Sequence, residues 1–119
     1  MSSENQNVPT ITSTGKIATR NWYAWNDLMP PKPNHLHVAG EVQVANPGVL
    51  ALLSPKEPQG INPTILMLDL HLVQQPGIWP QHVTWAQAKY IKIEGGTYYE
   101  VGVYFGGVEV AKIPVKDVH

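Results

Sequence analysis

His35-Leu36-His37-Val38-Ala39-Gly40-Glu41 places two imidazoles and a carboxylate within seven residues. In an extended strand successive side chains alternate between faces, so His35, His37 and Glu41 project from the same side. Nitrogen and oxygen donors gathered on one face can bind a divalent metal. His71 and His82 are further imidazoles able to complete such a site. On this reading the cofactor is one divalent metal ion. An amphipathic strand that merely shows its polar side to water has the same pattern and needs no cofactor.

Other chemistry is poorly supplied. Asp69 and His71 alternate on one face of a second extended run, a pairing that can orient an imidazole as a general base. No nucleophile accompanies them: Ser2, Ser3 and Ser13 fall near the N-terminus, and Ser54 opens a proline-rich loop without the strand, turn and helix of a nucleophile elbow. Asp27, Glu41, Asp69 and Glu100 show no spacing that pairs two carboxylates for glycoside hydrolysis. Gly102, Gly106 and Gly107 lie in a hairpin pattern and not before a helix, so they do not cradle a phosphate. Catalysis is not expected.

The aromatic residues point toward binding. Trp22, Tyr23 and Trp25 form one cluster, Trp79 and Trp85 a second, and Tyr98, Tyr99 and Tyr104 a third. Alternation puts Trp22 opposite Tyr23 and Trp25, so at least one large ring is expected on the outer surface. Trp22, Trp25 and Trp79 are the candidate ligand-binding residues, able to stack on a sugar or a protein partner.

The elements that must position these residues are strands. Eleven prolines and ten glycines separate short runs rich in Val, Ile, Thr and Tyr. His35 to Val44 places Leu36, Val38, Val42 and Val44 on the face opposite the histidines, and Thr64 to Val73 places Leu66, Leu68, Leu70 and Leu72 on another inward face. Lys16 to Trp25 and Gly48 to Leu53 read as further strands. Asn26 to Met29 reads as one helical turn stopped by Pro30 and Pro31. Gly95-Gly96 and Gly106-Gly107 predict tight hairpins, because glycine adopts positive φ without steric penalty. With both hairpins unbulged, Tyr99, Val101, Val103 and Phe105 share a face with Ala86, Ala88, Tyr90, Val108 and Val110. That register also puts Ile91, Ile93, Ile113 and Val115 on the opposite face, which requires a bulge near Tyr90 or a sheet covered on both sides.

The spacing His-x-His-x3-Glu-x6-Gly, read as His35, His37, Glu41 and Gly48, resembles the first motif of the cupins. Cupins are small β-barrels in which those side chains bind a metal, so the resemblance implies a divalent-metal-binding role for His35, His37 and Glu41. It covers 14 residues; Met29 stands where the motif begins with Gly, and His82 alone stands for the later histidine ligand.

A length of 119 residues allows one compact unit. Eight Lys plus Arg against nine Asp plus Glu give a net charge of −1, which supplies no field toward nucleic acid or an acidic membrane. Arg20 is the single arginine, and there is no cysteine for a disulfide or thiolate site. Met1 to Asn7 lacks the apolar core of a secretory signal, so the expected location is cytoplasmic. Together these features predict an all-β chain: a two-sheet antiparallel β-sandwich of immunoglobulin-like size, with seven to eight strands and a C-terminal three-strand meander. Residues 1–15 are expected as a flexible segment or edge strand (Val8 to Thr14), and 16–119 as a single β-sandwich domain. The leading functional expectation is a non-catalytic binding or assembly module, partnered by a second copy or another protein. A cupin-like metal site and carbohydrate binding through surface tryptophans are the alternatives.

Overall fold

The computed structural model describes residues 17–93 and 98–119. Seven runs of β-prone residues form strands β1 (Thr19–Asp27), β2 (His35–Val44), β3 (Val49–Pro55), β4 (Ile65–Gln74), β5 (Thr84–Ile93), β6 (Glu100–Phe105) and β7 (Val108–Val118). No helix forms among the described residues, and therefore none long and apolar enough to cross a membrane. The expected edge strand Val8 to Thr14 and the Gly95-Gly96 turn lie outside the described residues.

The strands make one mixed sheet in the order β3-β4-β6-β7-β1-β2-β5. Its two edge strands, β3 and β5, pack against each other and nearly close it into a barrel. This differs from the expected two-sheet antiparallel sandwich, because the β4–β6 and β1–β7 pairs are parallel and β7 is bonded on both sides. The C-terminal meander is corrected as well. β5 pairs with β2 over ten uninterrupted positions at one edge, while β6 inserts between β4 and β7. Long-range pairing wins because it packs Val101 and Val103 beside the leucine row of β4.

Both predicted inward faces are buried: Leu36, Val38, Val42 and Val44 on β2, and Leu66, Leu68 and Leu70 on β4, with Leu72 half-buried against them. Fully burying one such side chain contributes about 1.5–3 kcal/mol. The Gly106-Gly107 hairpin forms as predicted, with φ of 59° and 82°. The expected change of apolar face resolves differently on its two strands. On β7 the pairing shifts between Val103↔Ala111 and Tyr104↔Glu109, so Val110 bulges and Ile113 and Val115 turn inward. On β5 no bulge occurs near Tyr90, and Ile91 and Ile93 remain on the outside. Tyr99, expected inside, is exposed, and Tyr98 packs on the core in its place.

The expected helical turn at Asn26 to Met29 is absent. β1 continues to Asp27, the Leu28 N–H donates to the Val118 carbonyl at 2.8 Å, and Asn26 Nδ2 donates to Asp117 Oδ1 at 2.9 Å. Pairing with β7 satisfies these groups better than one isolated turn, which carries a nucleation cost.

Candidate functional site

Alternation and register build the outer face of β7, β1, β2 and β5 into a grid. One row runs Lys116, Trp25, His37, Ile91 across the four strands. Tyr23, Ala39 and Lys89 form the adjoining row, and Asp27, His35 and Ile93 flank Trp25 on the other side. Tyr23 and Trp25 stack with centroids 5.2 Å apart, and Trp25 stacks on His37 at 4.6 Å with an interplanar angle of 7°. Such pairs contribute about 0.5–1.5 kcal/mol each beyond area burial. Tyr23, Ile91 and Ile93 are 51%, 55% and 63% exposed, so this ridge is an apolar surface open to water.

The structure brings His35 and His37 together, with ring centroids 6.1 Å apart. Glu41 is engaged elsewhere: its Oε1 accepts from Asn21 Nδ2 at 2.8 Å and from Arg20 Nε at 2.9 Å. These hydrogen bonds, Asn21's first and then Arg20's, hold the Glu41 carboxyl below its ordinary range. Asn21 reaches it from a bulge of β1, where it adopts φ of 57°, a conformation Asn tolerates. Arg20 also lies 3.8 Å over the Trp85 ring, bridging β1 to β5.

His71 is on β4, away from β2, and shares a 2.9 Å hydrogen bond between its Nε2 and Ser54 Oγ. His82 lies in the loop before β5, at the end opposite His35; the β2–β5 register puts about 30 Å of strand between them. Among the described residues no three His, Asp or Glu side chains gather to hold a metal. Ser54 is the contact that sequence reasoning passed over. The β3–β4 register supplies it, pairing Leu52 with His71 and Ser54 with Asp69, but Asp69 makes no ion pair with the imidazole.

The three candidate tryptophans have separate fates. Trp25 is in the ridge. Trp79 packs over Gly48, where a Cβ would fall 2.3 Å from its ring, and donates Nε1 to the Gln75 carbonyl at 3.0 Å. Trp22 covers Gly40, whose Cβ would fall 2.2 Å from the ring, so glycine is required there by the indole. The Trp22 Nε1–H is buried with no acceptor among the described residues, an arrangement costing about 1–3 kcal/mol.

Two grooves flank the ridge. One, of about 190 Å³, lies toward β5 between Trp25, His37 and Lys89. The other, of about 440 Å³, lies between β1 and β7, whose ladder begins only at Ala24↔Val115. Fold and site thus define an all-β chain with a nearly closed mixed sheet and an aromatic ridge on its outer surface. No family model matches the chain, no curated protein matches its sequence, and no solved structure matches it.

Proposed function

We propose that this protein is a non-catalytic binding and assembly module that pairs with a second copy through the outer face of β1, β2 and β5. The observation that carries this reading is the contiguous ridge of Tyr23, Trp25 and His37 continued by exposed Ile91 and Ile93. Exposed apolar surface of this kind gains free energy when a partner removes it from water. A two-fold pairing brings the same patch against itself, and this patch carries charges of both signs, Lys89 on β5 against Asp27 on β1. A net charge of −1 opposes such pairing only weakly.

The geometry gives less to the two alternatives. A metal on His35 and His37 lacks its carboxylate, since Glu41 faces Arg20 and Asn21. A sugar stacking on Trp25 competes for ring surface already in contact with Tyr23 and His37.

Sedimentation velocity from 1 to about 100 µM, a range bracketing micromolar association, tests the proposal. The wild-type chain is expected to sediment as a dimer or larger species, and the double variant Ile91→Asp, Ile93→Asp as a folded monomer. A wild-type monomer throughout, or association unchanged in the variant, removes the reading.

A further inference from the structure

We infer that the seam between the edge strands β3 and β5 is a strand-binding site, and that its occupant is the chain's own segment Val8 to Thr12. The ladders show which main-chain groups face the seam. Gln75 N–H donates to the Gly48 carbonyl and Lys56 N–H to the Met67 carbonyl, so β3 turns the main-chain groups of its even-numbered residues toward β4. Those of Ala51 and Leu53 point away from β4. On the other side Gln43 N–H donates to the Ala18 carbonyl, so odd-numbered residues of β2 are turned toward β1 and even-numbered ones toward β5. Trp85, Gln87, Lys89 and Ile91 of β5 therefore face away from β2, toward the other edge strand. Among the described residues no main-chain hydrogen bond joins β3 to β5. Between them lies a cleft of about 470 Å³, with Ala51 and Ala86 in its lining.

An extended segment hydrogen-bonded on both sides answers these groups and removes two open edges at once. Val8 to Thr12 begins the β-prone run Val8 to Thr14, and Asn5 to Thr14 carries no charge to strand between β3 and β5. Pro9 stands near the start of the run, where a strand tolerates a missing N–H. Ile11 supplies one large aliphatic side chain for a cleft lined by the small Ala51 and Ala86. The chain also arrives at the right end. The bond from Gln43 to Ala18 lies beside Val44↔Thr84, where β5 begins. From Thr12 to Ile17 the chain can span ~17 Å, against ~14 Å for three strand spacings from β1 past β2 and β5 to the seam. Seated there, the segment runs antiparallel to both edges, holds them two spacings or ~9.6 Å apart, and closes the barrel by adding a strand to the seven. The inference is independent of the association reading, which uses an outer face and not an edge.

Amide hydrogen exchange on the full chain tests the site, with Ile11→Asp to eject the segment and Ile11→Val as the conservative control. In wild type the Ala51, Leu53, Gln87 and Lys89 amides are expected to exchange slowly. Ile11→Asp should speed them at least about tenfold, the scale of one lost aliphatic burial, and Ile11→Val should not. Val101 and Val103 should keep their wild-type rates in both variants, which shows the fold intact. Because the chain has no cysteine, a spin label on Thr10→Cys reports one position. It should broaden the Ala51 and Gln87 amides of its own chain, and neither amide of an isotope-enriched unlabelled chain mixed with it. The slow exchange should persist in the Ile91→Asp, Ile93→Asp variant, so failure of the seam and failure of the association reading are read separately. Fast exchange at the four amides in wild type, rates indifferent to Ile11→Asp, or broadening in the mixed sample, which makes a second copy the occupant, overturns the inference.

Discussion

The outer face of β1, β2 and β5 and the outer face of β4 and β6 are built on one core, yet they treat water differently. Over β4 the segment from Lys56 to Pro63 folds back. The Gln59 amide accepts from the Met67 N–H at 2.9 Å and donates to the Met67 and Lys56 carbonyls at 2.8 and 2.7 Å, standing in for a missing strand. Gly60 N–H donates to Met67 Sδ, and Asn62 Oδ1 accepts from the Thr64 N–H and hydroxyl. Backbone groups beyond the end of β3 are thereby satisfied within the chain. Over β1 and β2 no segment among the described residues folds back. Aromatic rings stack on one another instead, with Ile91 and Ile93 open beside them. The contrast teaches that, among the described residues, the chain answers its own groups beside β4 and leaves the ridge on β1 and β2 open, which is why the open side is assigned to binding.

Glycines on the strands beneath the two faces differ most sharply, Gly40 on the inward side of β2 and Gly102 on β6. Gly40→Ala drives a Cβ into the Trp22 ring, a rigid neighbour 2.2 Å away. Overpacking of this kind should cost about 1–3 kcal/mol in urea unfolding and disturb the Trp22 indole resonance. Gly102→Ala, on β6, meets the Glu109 carboxylate and the edge of the Tyr104 ring at 3.2 Å, a contact relieved by a shift of a few tenths of an ångström. Replacing a strand glycine recovers roughly 0.5–1 kcal/mol, so this variant should stay within about 0.5 kcal/mol of wild type. Equal losses at the two positions would erase the distinction.

Removing the internal cover is the next largest change. Gln59→Ala deletes three hydrogen bonds to main-chain groups of Met67 and Lys56. A loss of about 1–2 kcal/mol is expected, with faster hydrogen exchange at the Met67 amide. Exchange along β2 should be unchanged, since the cover belongs to the other face. If β2 amides accelerate equally, the two regions do not act separately.

How much of this was legible in the sequence follows from the range over which each force acts. Period-two alternation is local, so the buried faces of β2 and β4 could be read directly from Leu36, Val38, Leu66 and Leu68. Gly106-Gly107 was equally plain, because positive φ belongs to the turn itself. Strand order was hidden. Nothing near Val101 announces that it will pair with Leu66 in parallel while β5 leaves to join β2. At the candidate site, the shared face of His35 and His37 was readable, as was an outward-facing ring among Trp22, Tyr23 and Trp25. The diversion of Glu41 to Asn21 and Arg20 was not, because it depends on a bulge that shifts β1 against β2. Placing Trp22 over Gly40 likewise needed the pairing of two strands before either residue made sense.

The smallest expected effect sets the two faces at opposite ends of the pH scale. Glu41, half-buried on the first face, is held below its ordinary value of 4.5 by the hydrogen bonds from Asn21 and Arg20. A carboxyl depressed in the folded state adds stability above its unfolded value, and that contribution disappears as pH falls through the folded one. Tyr104, on the second face, is raised above 10.0, chiefly by partial burial and then by the adjacent Glu109 charge, whose Oε2 accepts from its hydroxyl at 3.3 Å. Its contribution is complete below pH 10 and disappears as pH rises through the raised value. Glu41→Gln should therefore flatten the loss of unfolding free energy below pH 4.5 and leave the alkaline limb alone, while Tyr104→Phe should flatten only the alkaline limb. Both effects are small because both groups face solvent, and salt should shrink the Glu41 effect further. Urea midpoints followed from pH 3 to about 11, spanning the ordinary values of both groups, check the assignment. A Glu41→Gln profile parallel to wild type on the acid side would show that Asn21 and Arg20 leave the carboxylate free.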